Sequence, residues 1–399
     1  MSLQHLKLNA LTEGDLQRLV NDAVPESKTL EYKAALEYAT DDQKRELLSD
    51  ITALANGEGG DIIYGIKADK GVAVALVGLK NLVPDDAQGK IENLLRDFVQ
   101  PRILGFEMRA ILLANKTHVL ILRAPRSFAA PHMVRHQGIT RFCGRNSNGK
   151  YELDVQELRS AFVANETYAD RLKSFRLNRV NKLLSGEAPI AMHGEHLLVL
   201  HILPVSGARL DMRLDNAELG RLKDKGTPKP MGCSGWGASF NFDGLLVSSE
   251  KNDRKCYSYI QILRNGFLEA VDSITLDPQP LTRNGEPARI IPSIAWEKNI
   301  LDVFPRYLNA LIELGAPLPF AVSLSLLNVK GFSMYVGPGY GHRTQPIDRD
   351  NLLTEEILIE SLPARADAIL RPLFDQIWNA CGWYGSINYN EAGEWREHR

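Results

Sequence analysis

Three carboxylates and a lysine near the start of this 399-residue chain have types and spacing suited to chemistry: Glu26, Glu31, Asp69 and Lys33. Hard divalent cations such as Mg2+ or Mn2+ take oxygen ligands, and phosphodiester hydrolysis uses them to polarise the phosphate and generate a nucleophilic hydroxide. Glu31 and Lys33, two apart in an alternating segment, share one face of a predicted strand, where the lysine could hold the attacking water or offset charge on phosphorus. By spacing alone, the simpler account is the ion-paired face of an ordinary exposed strand.

A polyanionic substrate needs positive charge around such carboxylates. The formal net charge is only -2, so the whole-molecule field does not announce a polyanion, and the distribution has to be read instead. Between Arg123 and Lys150 lie Arg126, His132, Arg135, His136, Arg141 and Arg145, with no Asp or Glu. A second acid-free run holds Arg171, Lys173, Arg176, Arg179 and Lys182. Each run could neutralise several phosphates by counterion release, and each could instead be a solvated face balanced by acids elsewhere.

The elements that must position these residues are legible in part. Thr12 caps a short helix over 11–20, and Leu30 to Lys33 alternates as a half-exposed strand. Leu47, Leu48, Ile51, Leu54 and Ala55 recur at helical spacing between a Thr40-Asp41 start and an Asn56-Gly57 stop. Gly59-Gly60 leads into a strand from Asp61 to Lys67, and Asp69-Lys70-Gly71 turns into Val72 to Val77. A helix from Lys90 to Val99, strands over 106–113 and 117–123, strands flanking a basic loop, and a closing helix from Val155 to Val163 complete an α+β unit over 1–165. Residues 166–185 read as a basic connector helix, and 186–399 as a mixed α/β domain. In that domain Arg264-Asn265-Gly266 marks a hairpin, with helices at about 297–314 and 364–380.

Four cysteines without a CxxC pair argue against a disulfide framework or a cysteine zinc site. With no secretory leader and no apolar run long enough for a bilayer, a cytoplasmic protein with no membrane partner is expected. GCSGWG (Gly232 to Gly237) and GPGYGH (Gly337 to His342) lack the ending of a phosphate-binding loop and read as ordinary loops. Phe142, Trp236 and Tyr340 could stack bases, although burial is the commoner fate of an aromatic ring.

PESKTLEYKAA, then an amphipathic helix ending in ITALANGEGGDIIYGIKADKG, and later PHMVRHQGITRFCGRNSNGKYELDVQELRSAF, resemble the Schlafen AlbA-like domain over residues 10–165. Nuclease members of the Schlafen family cut tRNA and rRNA with two Glu five positions apart and an Asp 38 further on, an arrangement that Glu26, Glu31 and Asp69 fit. The resemblance therefore implies a metal-dependent endoribonuclease acting on structured RNA, tRNA in particular, in a setting of anti-phage defence, with Mg2+ or Mn2+ on those three carboxylates and Lys33 beside them. Arg126, His132, Arg135, Arg141, Arg145, Lys150, Arg176 and Arg179 are then the expected RNA contacts. The zinc-binding Cys/His cluster of animal Schlafens has no counterpart. The C-terminal half, with Phe374-Asp375, Trp378-Asn379-Ala380 and Cys381-Gly382, resembles the tail of longer bacterial AlbA-like proteins, and substrate positioning, homo-oligomer formation and sensing stay open for it. A non-catalytic nucleic-acid-binding regulator using the same basic surface is the alternative, and a pure interaction module the third reading.

Overall fold

The element that organises the first unit is a 16-residue helix, α2 (Asp41–Asn56), preceded by α1 (Glu13–Asn21) and the strand β1 (Leu30–Lys33). Thr40 caps α2 through its side chain, which accepts from the Gln43 N–H while the Gln43 side chain returns to the Thr40 N–H. After α2 come β2 (Gly60–Tyr64), β3 (Ile66–Asp69), β4 (Val72–Leu76) and α3 (Pro84–Phe98). The strands β5 (Val99–Gln100), β6 (Glu107–Leu112), β7 (His118–Ala124), β8 (Met133–His136), β9 (Ile139–Asn146) and β10 (Gly149–Glu152) follow, then α4 (Val155–Leu184). The computed structural model describes residues 8–146, 149–209, 212–249, 253–277, 288–337, 344–362 and 365–396.

Residues Met1–Thr167 form one compact unit and Tyr168–Arg399 another. In the first, β1 pairs parallel with β2 at the edge of a four-stranded sheet ordered β1-β2-β7-β6, and β10-β9-β8-β5 make a second, antiparallel sheet. Side-chain alternation splits the core in two: Ile63, Val119 and Ile121 pack with Leu16, Leu19 and Tyr32, while Ile62, Tyr64 and Leu122 pack with Leu47, Ile51 and Leu54 of α2. Gly60 is required where β2 begins, because at φ 153° a Cβ would lie 2.4 Å from the Thr29 carbonyl oxygen.

Several expectations need correction. Helix α3 starts at Pro84 and not at Lys90, since proline suits a first helical position and Asp85 and Asp86 favour the positive helix start. The basic loop is a strand hairpin, β8 and β9 turning at Gln137 and Gly138, which take φ 52° and 75°. The closing helix and the basic connector are one 30-residue helix, with no Pro or Gly to break it.

The second unit is built on an eight-stranded sheet whose successive neighbours are Trp236–Phe240, Gly244–Ser249, Ser258–Leu263, Leu268–Asp272, Leu197–Pro204, Phe320–Leu327 and Asn351–Leu353, with Ile357–Ile359 also paired to Phe320–Leu327. Helices Ala295–Glu313 and Ala366–Ala380 contribute Trp296, Phe304, Phe374 and Trp378 to the core on one face. Val180 and Leu183 of α4 pack with Val199, Tyr259 and Val271 in a cluster on the other. All four cysteines are buried, and none is joined in a disulfide. Among the described residues, no helix is long and apolar enough to cross a membrane.

Candidate nucleic-acid interface

Three elements of the first unit bring charged side chains into one cleft of about 460 Å³. Strand β1 buries Leu30 and Tyr32 and turns Glu31 and Lys33 the other way. Helix α2 supplies Glu46 and Asp50, four residues apart and so on one face. The β9–β10 hairpin supplies Arg145 and Lys150, which are directly paired across the strands. Glu26, Lys70 and Gly71 complete the lining.

Within the cleft positive and negative groups alternate. The Glu31 carboxylate is bonded by the Arg145 guanidinium and lies 3.1 Å from the Lys33 ammonium, which is also 3.4 Å from Asp50. Lys150 bridges Asp50 and Glu46, at 2.8 Å from each. Arg145 is anchored further by donating to the Ser27 carbonyl oxygen at 3.2 Å. Glu26 accepts the Tyr32 N–H at 3.1 Å, which fixes its carboxylate at the end of β1.

These contacts set the proton affinities. Burial would lower the Lys33 pKa, but Asp50 and Glu31 outweigh it and the net direction is up. Burial raises the Asp50 pKa more strongly than Lys150 and Lys33 lower it. Burial is also the largest single influence on Glu46 and would raise its pKa, but the Lys150 bond and the charges of Lys150, Lys33 and Arg141 together outweigh it and the net direction is down. Lys150 thus spans one deeply buried carboxylate and one exposed one, which explains why its two partners shift in opposite directions.

Glu26, Glu31, Lys33, Arg145 and Lys150 come together as the sequence suggested, whereas Asp69 is exposed at the end of β3 and does not line the cleft. Asp50 and Glu46 stand there instead. Among the described residues no group of three His, Cys, Asp or Glu is arranged to hold a metal ion. The contacts explain this: both oxygens of Glu31 and both of Asp50 already face cationic nitrogens. As arranged, Glu31 and Asp50 turn no uncommitted carboxylate oxygen toward Mg2+ or Mn2+.

The other expected RNA contacts divide. Arg141 is exposed on the same face of β9 as Arg145, two pleats away, and its charge acts on Glu46. Arg135, opposite Thr140, points to the other face of that hairpin. Arg126 is exposed beyond β7. His132 is fully buried: its Nδ1 lies 2.7 Å from the Pro101 carbonyl oxygen, and its pKa is lowered by burial against that bond.

Arg176 and Arg179 are 5% and 6% exposed and belong to the second unit's interior. Arg176 donates to the carbonyl oxygens of Thr354 and Leu324, and Arg179 grips both oxygens of Glu269 at 2.6 and 2.9 Å. Neither is placed to meet a phosphate. Phe142 packs edge-on against Phe162, Trp236 donates to Thr227, and Tyr340 lies outside the described residues.

Residues 26–154 match the family Schlafen, AlbA_2. They form a Schlafen AlbA_2-like domain. The match spans about a third of the chain and contains every element that lines the cleft. The chain is also similar to the solution structure of the N-terminal domain of a protein from Nitrosomonas europaea described as related to the ATP-dependent DNA helicase RecG. There the identity is 25%, over 32% of this chain and 81% of that one, with a TM-score of 0.25. A second similarity, to the DIP2311 protein of Corynebacterium diphtheriae, has 14% identity over 35% of this chain and a TM-score of 0.25, and the chain spans only 29% of that structure's length. No curated protein matches the chain.

Proposed function

We propose that the AlbA_2-like domain binds the phosphate backbone of RNA in the cleft between β1, α2 and the β9–β10 hairpin. The observation that carries this reading is the pair of lysines, Lys33 and Lys150, held partly exposed in the cleft by carboxylates that occupy the positions a phosphate oxygen would take. An incoming phosphodiester exchanges with Glu46 and Glu31 for these ammonium groups and forms charge-assisted hydrogen bonds of the same geometry. Lys70 at the mouth and Arg141 on the neighbouring strand extend positive charge beyond the cleft.

Fluorescence anisotropy of labelled tRNA and of a single-stranded RNA, titrated at several salt concentrations, tests it. Lys33→Ala, Lys70→Gln and Arg141→Ala should each weaken binding and lower the slope of log K against log[salt] by about 0.7 to 0.9. RNA affinity absent at low salt, or unchanged in all three variants, would overturn the reading.

A second reading, phosphodiester cleavage by an endoribonuclease, is favoured by the placement of Glu26 and Glu31 in one cleft beside Lys33. The same tRNA incubated with and without Mg2+ or Mn2+ separates the two: cleavage abolished by EDTA and by Glu26→Gln would make the binding reading incomplete.

A further inference from the structure

A second cavity of about 630 Å³ lies in the same unit, between the loop after β1, the first turn of α2, and α3. Leu36, Tyr38 and Leu94 give it an apolar wall, and Lys90, Asn93 and Asp97 of α3 stand at its rim. These three are spaced by three and four residues and so share one helix face. The Lys90 ammonium is 5.9 Å from the Tyr38 ring centroid, at the outer limit of a cation–π contact.

This cavity and the charged cleft draw on the same two stretches of chain. The chain passes from Lys33, which lines the cleft, to Leu36 and Tyr38, which line the cavity, within one short loop. On α2, Gln43 faces the cavity while Glu46 and Asp50 face the cleft, all at the spacing of a single helix face. The seven residues from Gln43 to Asp50 rise about 10 Å.

From this placement along α2 and the loop after β1 we infer that the cavity is a nucleobase subsite, which takes an unpaired base of the RNA strand whose backbone lies in the cleft. The inference rests on the binding function proposed above and adds to it a preference for single-stranded over paired RNA. An aromatic ring with apolar flanks offers the π-face on which any base stacks. The Asn93 amide supplies a donor and an acceptor, and the Asp97 carboxylate a further acceptor, for the polar edge of the base. Lys90 supplies the positive charge that meets the phosphate attached to it. A phosphate in the cleft and a base in the cavity thus come from one strand, whereas a duplex would keep its bases stacked away from Tyr38.

The test uses the full chain and RNA oligomers of about ten nucleotides, single-stranded, duplex, and single-stranded with one 2-aminopurine. Wild type should prefer the single strand, and the 2-aminopurine emission should fall on binding as the base stacks. Tyr38→Leu, which keeps the apolar volume, should abolish that quenching and weaken single-strand binding by about tenfold, with the salt slope unchanged. Asn93→Ala, at an exposed position where folding is safe, should reduce the difference between bases. Wild-type quenching that persists in Tyr38→Leu, or equal affinity for single strand and duplex, would overturn the subsite while leaving the cleft standing. No RNA affinity in wild type would overturn both.

Discussion

The carboxylates of the cleft make a prediction whose sign separates a charge-gated binding site from a site that needs its acids. Glu26, Glu31, Glu46 and Asp50 face Lys33, Lys70, Arg145 and Lys150, so the lining is neutral when all are ionised. Glu46→Gln shifts it by one positive charge. The Glu46 side chain is 60% exposed, so the substitution should leave the fold intact. A phosphate accepted by Lys150 would lie about 5 Å from the Glu46 carboxylate, where two unit charges repel by about 1 to 3 kcal/mol between water-like and surface dielectrics. Because Glu46 is largely solvated, the lower end applies, and about 1 kcal/mol corresponds to roughly fivefold tighter binding. The salt slope should steepen by about 0.7 for a single strand, since one more phosphate is neutralised by the protein.

Asp50→Asn tests the same logic where burial is deep. It removes the buried counter-charge that Lys33 and Lys150 share, so RNA binding should tighten at least as much, and thermal denaturation will reveal any cost of losing that buried partner. Acidification should mimic it. Burial raises the Asp50 pKa, so Asp50 takes up a proton as pH falls from neutral before an ordinary aspartate would, and wild-type affinity should rise over that window. The corresponding stability contribution is present below the unfolded aspartate value near 3.9 and is lost as pH rises through the raised folded pKa. In Asp50→Asn that part of the pH dependence should vanish. Weaker RNA binding by Glu46→Gln with an unchanged salt slope would refute the charge-gating argument.

Two further predictions concern what holds each unit together. Asn56 accepts the His132 N–H at 2.6 Å and donates to the carbonyl oxygens of His132 and Cys143 at 3.1 and 2.9 Å, so Asn56→Ala should cost about 2 to 3 kcal/mol in a urea titration, and a loss under about 0.5 kcal/mol would show these bonds to be replaceable. Burial alone would raise the pKa of Glu269, but its bonds to Arg179 and His201 bring it to about 2. A depressed carboxylate stabilises above the unfolded value near 4.3 and loses that contribution as pH falls toward 2, here about 3 kcal/mol. Glu269→Gln should remove a similar amount at pH 7 by leaving Arg179 buried without its counter-charge, and an unaltered denaturation midpoint would sink the assignment.

The parts of the fold written in local signals were legible. Helix α2 shows its cap, its apolar stripe and its stop in one unbroken stretch from Thr40 to Gly57, and the turns Asp69-Lys70-Gly71 and Arg264-Asn265-Gly266 announce their hairpins by residue type. What escaped depended on partners distant in the chain. The run from Arg171 to Lys182 looks like a solvated face because the carboxylate that receives Arg179 is 90 positions away, and the carbonyls that receive Arg176 are more than 140 away. The strands flanking the basic loop were expected, and what was missed is how tightly they turn into one another, because Arg135 and Arg141 interrupt an alternation whose buried members are Val134, His136 and Cys143.

The site itself was half legible, and the missing half left a trace in the sequence. Asp50 lies three residues after Leu47 and four before Leu54, on the stripe that α2 buries, where an aspartate is costly unless it finds partners. An acid on a core stripe signals a charged cluster, and Lys33 and Lys150 are the charges it met. Asp69 shows the converse. A spacing shared with other proteins fixes a position along the chain, but at the tip of the β3–β4 hairpin an exposed side chain is free of the packing that would aim it, and the inward carboxylate comes from α2. The electrostatic character of the cleft follows from that exchange. A carboxylate at a solvated tip would leave Lys33 and Lys150 without their buried counter-charge, whereas Asp50 pairs with both from below and leaves their outer surfaces to whatever anion enters.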